Sequence, residues 1–254
     1  MLIDTHAHIY LEDYLHDIDE VLQRAYDNGV KKIILPNLDS STVKRLLDLS
    51  DAYPHLCFPL IGLHPSSVAA DYKEELQALE YWLEKRKFYG IGEIGIDLHW
   101  DKTLKKEQQD AFRYQIRLAK KHDLPIVIHE RNSFQEIISI VREEQDGSLK
   151  GIFHCFTGTE KEAGQIANLG FLMGIGGVAT FKNSDLQRVI KNIPLENIVI
   201  ETDSPYLAPV PKRGKRNEPA YIVYVAQTIA KVFNLPVNEV ACRTTENARN
   251  LFRI

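Results

Sequence analysis

The amino-acid sequence predicts a single α/β domain, residues 1–254, folded as an eight-stranded parallel TIM (β/α)8 barrel. Two observations predict this fold. Short apolar segments rich in β-branched residues recur along the chain, and amphipathic segments with helical periodicity lie between them. Successive apolar segments are roughly 20–35 residues apart, which is the spacing that βαβ units need. An open, doubly wound sheet shows the same alternation, but eight consecutive units fill the chain and leave nothing for a second domain.

The apolar segments are the predicted strands. They comprise residues 2–9, 31–37, 57–64, 90–97, 125–130, 151–156, 171–177 and 197–203. Side chains alternate between the two faces of a strand, so His6 and His8 in the first segment should share a face. Such a pair places two nitrogen donors within reach of one ion, although an isolated His-x-His is more often an ordinary pair of polar residues.

The segments that follow the strands carry apolar residues at helical spacing. In the first of them Ile18, Val21, Leu22 and Ala25 form one stripe, and Gly29 is a suitable C-terminal stop. The predicted helical segments are residues 17–29, 41–53, 73–86, 104–122, 134–144, 160–170, 184–192, 218–233 and 236–252. Every predicted strand is therefore followed by at least one helix, as the barrel requires.

The bulk composition is that of an ordinary globular protein, with 44% hydrophobic and 26% charged residues. The net charge is −4 and the pI about 6.1, so a role in binding nucleic acid needs a local basic patch. Three widely separated cysteines argue against a disulfide scaffold and for reduced thiols in the cytoplasm. The first ten residues show no signal-peptide pattern, and no apolar segment approaches the length of about 18 residues that a membrane span needs.

Ionisable residues gather where the predicted strands end. They are His6, His8, His64, Glu93, Asp97, His129, Arg131, His154, Glu201 and Asp203. The carboxyl ends of barrel strands form one rim, so these side chains should meet there. Each has an ordinary alternative taken singly: His154 could be a hydrogen-bonded core histidine, and Asp203 the cap of a turn before Pro205. Collectively they are costly to bury unless they are paired or bind a cation.

The donor types in this cluster are those of a metal site. Several imidazoles and two or more carboxylates are enough for two divalent ions, and a carboxylate between them can bridge the pair. Imidazole nitrogen suits zinc, manganese, iron or nickel, and carboxylate oxygen also suits magnesium, so the donor set does not select one metal.

Several motifs resemble those of the TatD family of metal-dependent deoxyribonucleases, within the amidohydrolase superfamily of TIM barrels. The matching motifs are DTHAH (4–8), GLHP (62–65), GEIGID (92–97), IHER (128–131), HCFTG (154–158), ETDSPYL (201–207) and RGKRNEP (213–219). They extend over essentially the whole chain. DTHAH alone would indicate only the superfamily, whereas the other motifs in combination are far more specific.

The resemblance implies a site for two divalent metal ions, drawn from Mg, Mn, Zn, Ni or Fe. It implies that His6, His8, Glu93 and Asp203 bind one ion. Glu93, His129 and His154 would bind the other, with Glu93 bridging where many amidohydrolases have a carboxylated lysine. The implied reaction is hydrolysis of DNA phosphodiesters, and we expect Asp203 to orient the attacking water and accept its proton.

DNA as substrate requires cations at the rim. Arg131 shares the strand parity of His129, and a salt bridge is its alternative role. Lys212, Arg213, Lys215 and Arg216 follow the last strand, and we expect Arg213 and Lys215 above all to contact phosphate, although a solvated loop is the alternative. His64 is expected to contact substrate or to support a ligand. Trp100 could stack on a base or pack within its loop.

Two other functions remain open at this point. The same metal site could serve another amidohydrolase activity on an amide, lactone or aminoacyl ester, which would not need the basic loop. A barrel that only binds a partner, without catalysis, would not need the metals.

Overall fold

The computed structural model describes residues 1–99 and 102–254, so Trp100 lies outside the described residues. The described residues contain eight strands that pair in parallel. They are β1 (Leu2–Asp4), β2 (Val30–Leu35), β3 (Cys57–Pro59), β4 (Ile91–Asp97), β5 (Ile126–Arg131), β6 (Gly151–Phe153), β7 (Leu172–Ile175) and β8 (Ile198–Ile200).

The helices follow the strands as expected. They are α1 (Ile18–Asp27), α2 (Val43–Ala52), α3 (Tyr72–Lys85), α4 (Lys105–His122), α5 (Phe134–Glu144), α6 (Glu160–Asn168), α7 (Leu186–Ile190), α8 (Ile222–Phe233) and α9 (Val237–Phe252). Gly29, with φ +84°, follows α1 in the left-handed conformation that a C-terminal stop favours.

Hydrogen bonds between successive strands close the sheet into a barrel. One ladder runs β1-β2-β3 and another runs β4-β5-β6-β7-β8. Ile61, just beyond β3, pairs with Ile91 of β4, and Ala7, just beyond β1, pairs with Ser204 beyond β8. These two bridges join the ladders at both edges, and the predicted (β/α)8 barrel is confirmed.

Two apolar layers hold the barrel together. The larger layer lies between the strands and the surrounding helices. The smaller one fills the inside of the barrel with strand residues that include Ile34, Phe58 and Val199, and Phe252 of α9 packs against them. The inside of the barrel is thus a packed core that α9 supports, and polar residues are left to the other end.

Six of the observed strands end earlier than predicted, whereas β4 ends as predicted and β5 one residue later. β1 ends at Asp4, β3 at Pro59, β6 at Phe153 and β8 at Ile200. His6, His8, His64, His154 and Asp203 therefore lie in the turns that follow the strands. Strand alternation does not apply to them, and Asp203, with φ +57°, has the left-handed backbone conformation of a turn.

Within the described part of the chain, no single helix has both the length and the apolar character of a membrane span. One pair, Pro219–Phe233 with Val237–Phe252, reaches these criteria only jointly, and it is bent by 109° at its break.

Candidate metal centre

Four donor atoms from three strand ends converge at the rim of the barrel. The Nε2 atoms of His6 and His8 are 3.1 Å apart, and they lie 3.1 and 3.4 Å from Glu93 Oε2. Asp203 Oδ1 is 3.8 Å from each of these nitrogens. None of the four side chains is more than 13% exposed. We call these four residues the first group. The donor atoms of His6, His8 and Asp203 are close enough together to share one cation, and Glu93 Oε2 contacts both imidazoles.

The other oxygen of Glu93 faces a second group of nitrogens. Glu93 Oε1 is 2.8 Å from His129 Nδ1 and 2.8 Å from His154 Nε2, with His64 Nε2 at 3.5 Å. One carboxylate thus contacts both groups through different oxygen atoms, which is the arrangement of a carboxylate that bridges two cations. Burial alone would favour the protonated acid, but the surrounding imidazoles, those of His154 and His6 foremost, hold the pKa of Glu93 well below its usual range.

A hydrogen bond behind His8 determines which of its nitrogens carries the proton. Tyr10 donates its hydroxyl proton to Pro36 O at 2.7 Å. The Tyr10 oxygen can then only accept a hydrogen bond from His8 Nδ1, which is 3.2 Å away. The His8 proton is therefore on Nδ1, and the lone pair of Nε2 points into the first group.

Asp97 determines the tautomer of His129 in the same way. Asp97 Oδ2 is 3.1 Å from His129 Nε2, and Oδ1 accepts the backbone N–H of His99 at 2.9 Å. An ionised carboxylate only accepts, so Nε2 carries a proton, and a neutral His129 turns the lone pair of Nδ1 toward Glu93 Oε1. A lone pair facing a carboxylate oxygen at this distance is repulsive unless a proton or a metal ion lies between them.

The protonation of His129 agrees with this reading. Burial alone would lower the pKa of His129, but the carboxylates of Asp97 and Glu93 outweigh burial and raise it. Positive charge between His129 Nδ1 and Glu93 Oε1 is thus favoured, either as a second proton on the imidazole or as a divalent cation. The donor set therefore fits the metal ions that the sequence resemblance implies.

Behind the second group, His154 and Glu201 form a buried pair. His154 Nδ1 is 3.4 Å from Glu201 Oε1, which accepts the backbone N–H of Cys155 at 2.6 Å. Among the described residues, the Nδ1 atoms of His154 and His6 and Glu201 Oε2 lack a hydrogen-bond partner. Burial alone would lower the pKa of His154, but Glu93 and Glu201 outweigh it and raise it well above its usual value. Positive charge is again what this end of the barrel requires.

The turn that carries Asp203 is held by Asn217. Asp203 donates its backbone N–H to His6 O at 2.8 Å. The Asn217 carboxamide donates to the carbonyl oxygens on both sides of Asp203, Thr202 O at 2.7 Å and Tyr206 O at 2.6 Å. Burial raises the pKa of Asp203 to about 6. Asp203 is thus a firmly positioned carboxylate whose pKa is close to neutral pH.

The four residues predicted to bind substrate lie at different points of the rim. His64 borders the second group, and Arg131 is the exposed last residue of β5. The guanidinium of Arg213 lies over the ring of Phe181, 4.0 Å from its centroid, and Lys215 is exposed. Of the four, His64 contacts the predicted ligands His129 and Glu93.

Arg216 does not have the phosphate-contacting role expected for the whole basic loop. Its guanidinium forms a bidentate ion pair with Asp17, at 2.9 and 2.5 Å, and lies over the ring of Tyr14. Its charge is therefore already compensated, and it fastens the loop to the segment before α1. Within the described residues, neither Arg213 nor Lys215 forms an ion pair of this kind.

Sequence reasoning assigned no role to Tyr10, Asp97 or Asn217. Tyr10 lies two residues beyond His8, at the same spacing that separates His6 from His8, and that spacing could have singled it out. Asp97 was placed on the rim, but which side chain it faces could not be read from spacing. Asn217 is distant in sequence from the turn it holds, and only the fold connects them.

Comparison with known proteins gives concordant results. The sequence model of a family described as TatD related DNase matches residues 3–253. A Bacillus subtilis protein named metal-dependent hydrolase YabD is 41% identical over 255 residues, covering 100% of both chains. The 3'-5' ssDNA/RNA exonuclease TatD of Erwinia tasmaniensis is 27% identical and also covers 100% of both chains. The crystal structure of YjjV, a TatD homologue from Escherichia coli, superposes with a TM-score of 0.94 at 30% identity, covering 100% of this chain and 98% of the other.

Proposed function

This chain belongs to the family of TatD-related DNases and is a metal-dependent hydrolase, and we propose that it hydrolyses phosphodiester bonds of DNA with two divalent cations. The observation that carries the proposal is the placement of Glu93 between two groups of donors, with a different oxygen directed at each. The names of the family and of the Erwinia relative support nucleic acid as the substrate.

We assign the two ions as follows. The Nε2 atoms of His6 and His8, with Asp203 and Glu93 Oε2, would hold one of them. Glu93 Oε1, His129 Nδ1 and His154 Nε2 would hold the other. This is a mixed nitrogen and oxygen set, which accepts Mn, Zn, Fe or Ni readily and Mg through its carboxylates. The outer hydrogen bonds of Tyr10 and Asp97 keep lone pairs directed at the ions.

The chemistry divides between the ions and the protein. Divalent cations at this position acidify a water molecule and neutralise negative charge on phosphoryl oxygens. Asp203 orients the attacking water and accepts its proton, because a carboxylate held at the metal site can act as a general base. Asn217 keeps Asp203 in place, because it fixes the backbone on both sides of it.

The basic residues at the rim would guide the DNA backbone. Arg213 and Lys215 lie in a loop that Arg216 fastens to the protein body, so their charges are presented from a fixed position. Arg131 adds a third cation at the end of β5. Since the net charge is −4, we expect DNA binding to be modest, salt-sensitive and limited to this rim.

The test is a cleavage assay on single-stranded and double-stranded DNA, with chelator and with each of several added metals. We expect cleavage that EDTA abolishes and that Mn²⁺ or another divalent ion restores. Asp203→Asn should abolish turnover with the fold retained. A Zn- or Mn-loaded protein that cleaves an amide or lactone but no DNA would refute the proposal in favour of another amidohydrolase activity. The double variant Arg213→Ala/Lys215→Ala should cleave DNA more weakly if the protein is a nuclease. It should keep full activity if the substrate is a neutral amide or lactone.

A further inference from the structure

His64 lies at the edge of the second group, where proximity alone would make it another metal ligand. Its Nε2 atom is 3.3 Å from His129 Nδ1 and 3.5 Å from Glu93 Oε1, and its side chain is only 12% exposed. The donor atoms of these three residues are close enough together to hold an ion.

The hydrogen bond on the other side of the ring excludes that role. His64 Nδ1 accepts the backbone N–H of Ser66 at 3.1 Å, and the Ser66 hydroxyl is 2.6 Å from the same nitrogen. A backbone N–H can only donate, so Nδ1 must present a lone pair to it. The proton of His64 is therefore on Nε2. This nitrogen points toward Glu93 and has no lone pair for a cation, the reverse of His8 Nε2 and His129 Nδ1.

The Nε2–H of His64 faces two atoms that are assigned above as metal ligands. Its two neighbours, at 3.3 and 3.5 Å, are His129 Nδ1 and Glu93 Oε1. Both atoms are ligands in the site described above, so their lone pairs are engaged when that site is filled. A donor that remains, beside positive charge and nearly buried, favours an anionic oxygen as its acceptor.

We infer that His64 is not a metal ligand but a hydrogen-bond donor that binds an anionic oxygen of the substrate through Nε2–H. That this oxygen belongs to a phosphoryl group rests on the proposed function. The tautomer, in contrast, follows from Ser66 alone and holds for any substrate. In phosphodiester hydrolysis, the Nε2–H of His64 would hold the phosphoryl oxygen beside the second group and stabilise the charge that develops on this oxygen.

The experiment separates binding of metal from binding of phosphate. His64→Asn keeps an oxygen that can accept the Ser66 N–H, because the side-chain oxygen of asparagine occupies the position of Nδ1, but it is too short to reach Glu93. His129→Ala, which removes a ligand, is the matched control. Calorimetry measures Mn²⁺ binding to each protein and then inorganic phosphate binding to the Mn²⁺-loaded proteins. Long-range ¹H–¹⁵N spectra of the imidazoles report the tautomer directly.

We expect His64→Asn to bind Mn²⁺ within about twofold of the wild-type protein and phosphate at least about tenfold more weakly, as the loss of one charge-assisted hydrogen bond predicts. His129→Ala should lose Mn²⁺ affinity. The inference is overturned by an Nδ1-protonated His64, by a loss of Mn²⁺ in His64→Asn comparable to that in His129→Ala, or by unchanged phosphate binding. If the expected pattern appears in a protein that cleaves no DNA, the inference stands and the proposed function fails.

Discussion

Asp97 Oδ2 lies 3.1 Å from His129 Nε2, and this contact determines that the other nitrogen of His129 faces Glu93. The other oxygen of Asp97 is occupied by the backbone N–H of His99. Asp97→Asn replaces one acceptor oxygen with an amide NH2 group. Either the Nε2–H of His129 or the backbone N–H of His99 then loses its acceptor. We predict a loss of about 10–100-fold in metal affinity, measured by calorimetry. Asp48→Asn, which removes a carboxylate from the exposed pair with Lys44, is the control and should change nothing.

Tyr10→Phe tests the corresponding contact at His8. Without the hydroxyl, His8 Nδ1 loses its acceptor and Pro36 O loses its donor. The ring of His8 is then less firmly held, and we predict that affinity for the first-group ion falls by about tenfold, as for other outer hydrogen bonds of metal ligands. Tyr26→Phe, at an exposed position on α1, is the matched control. Equal metal affinity of Tyr10→Phe and Tyr26→Phe would show that this hydrogen bond is unimportant.

Gly174 of β7 makes room for the carboxylate of Glu201. A Cβ atom at Gly174 would lie 2.2 Å from Glu201 Oε2, so Gly174→Ala must displace the carboxylate that faces His154. We predict weaker metal binding and a lower melting temperature. Gly164→Ala is the control, because nothing lies within 4 Å of its Cβ position in α6. It should leave metal binding unchanged and stabilise the protein by about 0.5–1 kcal/mol. A Gly174→Ala protein with wild-type metal affinity would contradict the role of Glu201.

Phe252 tests the separation between the core and the metal centre. It is 3% exposed and packs inside the barrel, away from the rim. Phe252→Ala should lower the free energy of unfolding by about 3–5 kcal/mol, measured by urea denaturation. Metal affinity of the folded variant should stay within about twofold of the wild-type value. A large change in the metal affinity of the fully folded variant would mean that the packing of α9 also positions the metal ligands.

Much of the fold could be predicted because a barrel repeats one pattern. The apolar segment of residues 90–97 nearly coincides with β4. The predicted helical segment of residues 134–144 coincides with α5. The ends of other strands were overestimated, as at residues 197–203, since turns that carry ligands contain the same residue types as strands. Which side chains gather at the rim followed from strand order.

The partners of each imidazole could not be predicted in this way. Asp97, Tyr10 and Ser66 act through single hydrogen bonds whose direction depends on backbone geometry. Arg216 is an example. The basic residues next to it in sequence suggest a phosphate contact, but the fold brings it to Asp17, which is 199 residues away in sequence. Spacing in sequence predicts proximity to the rim, whereas pairing on the rim depends on the tertiary structure.

The central claim is that Glu93 joins two cations in one site. Equilibrium dialysis against Mn²⁺, with metal and protein quantified, tests it most directly. We predict saturable binding of two ions per chain in the wild-type protein. In Glu93→Gln, which replaces one bridging oxygen with an amide nitrogen, we predict one ion or fewer. Two tightly bound ions in Glu93→Gln, or no saturable binding in the wild-type protein, would contradict the account.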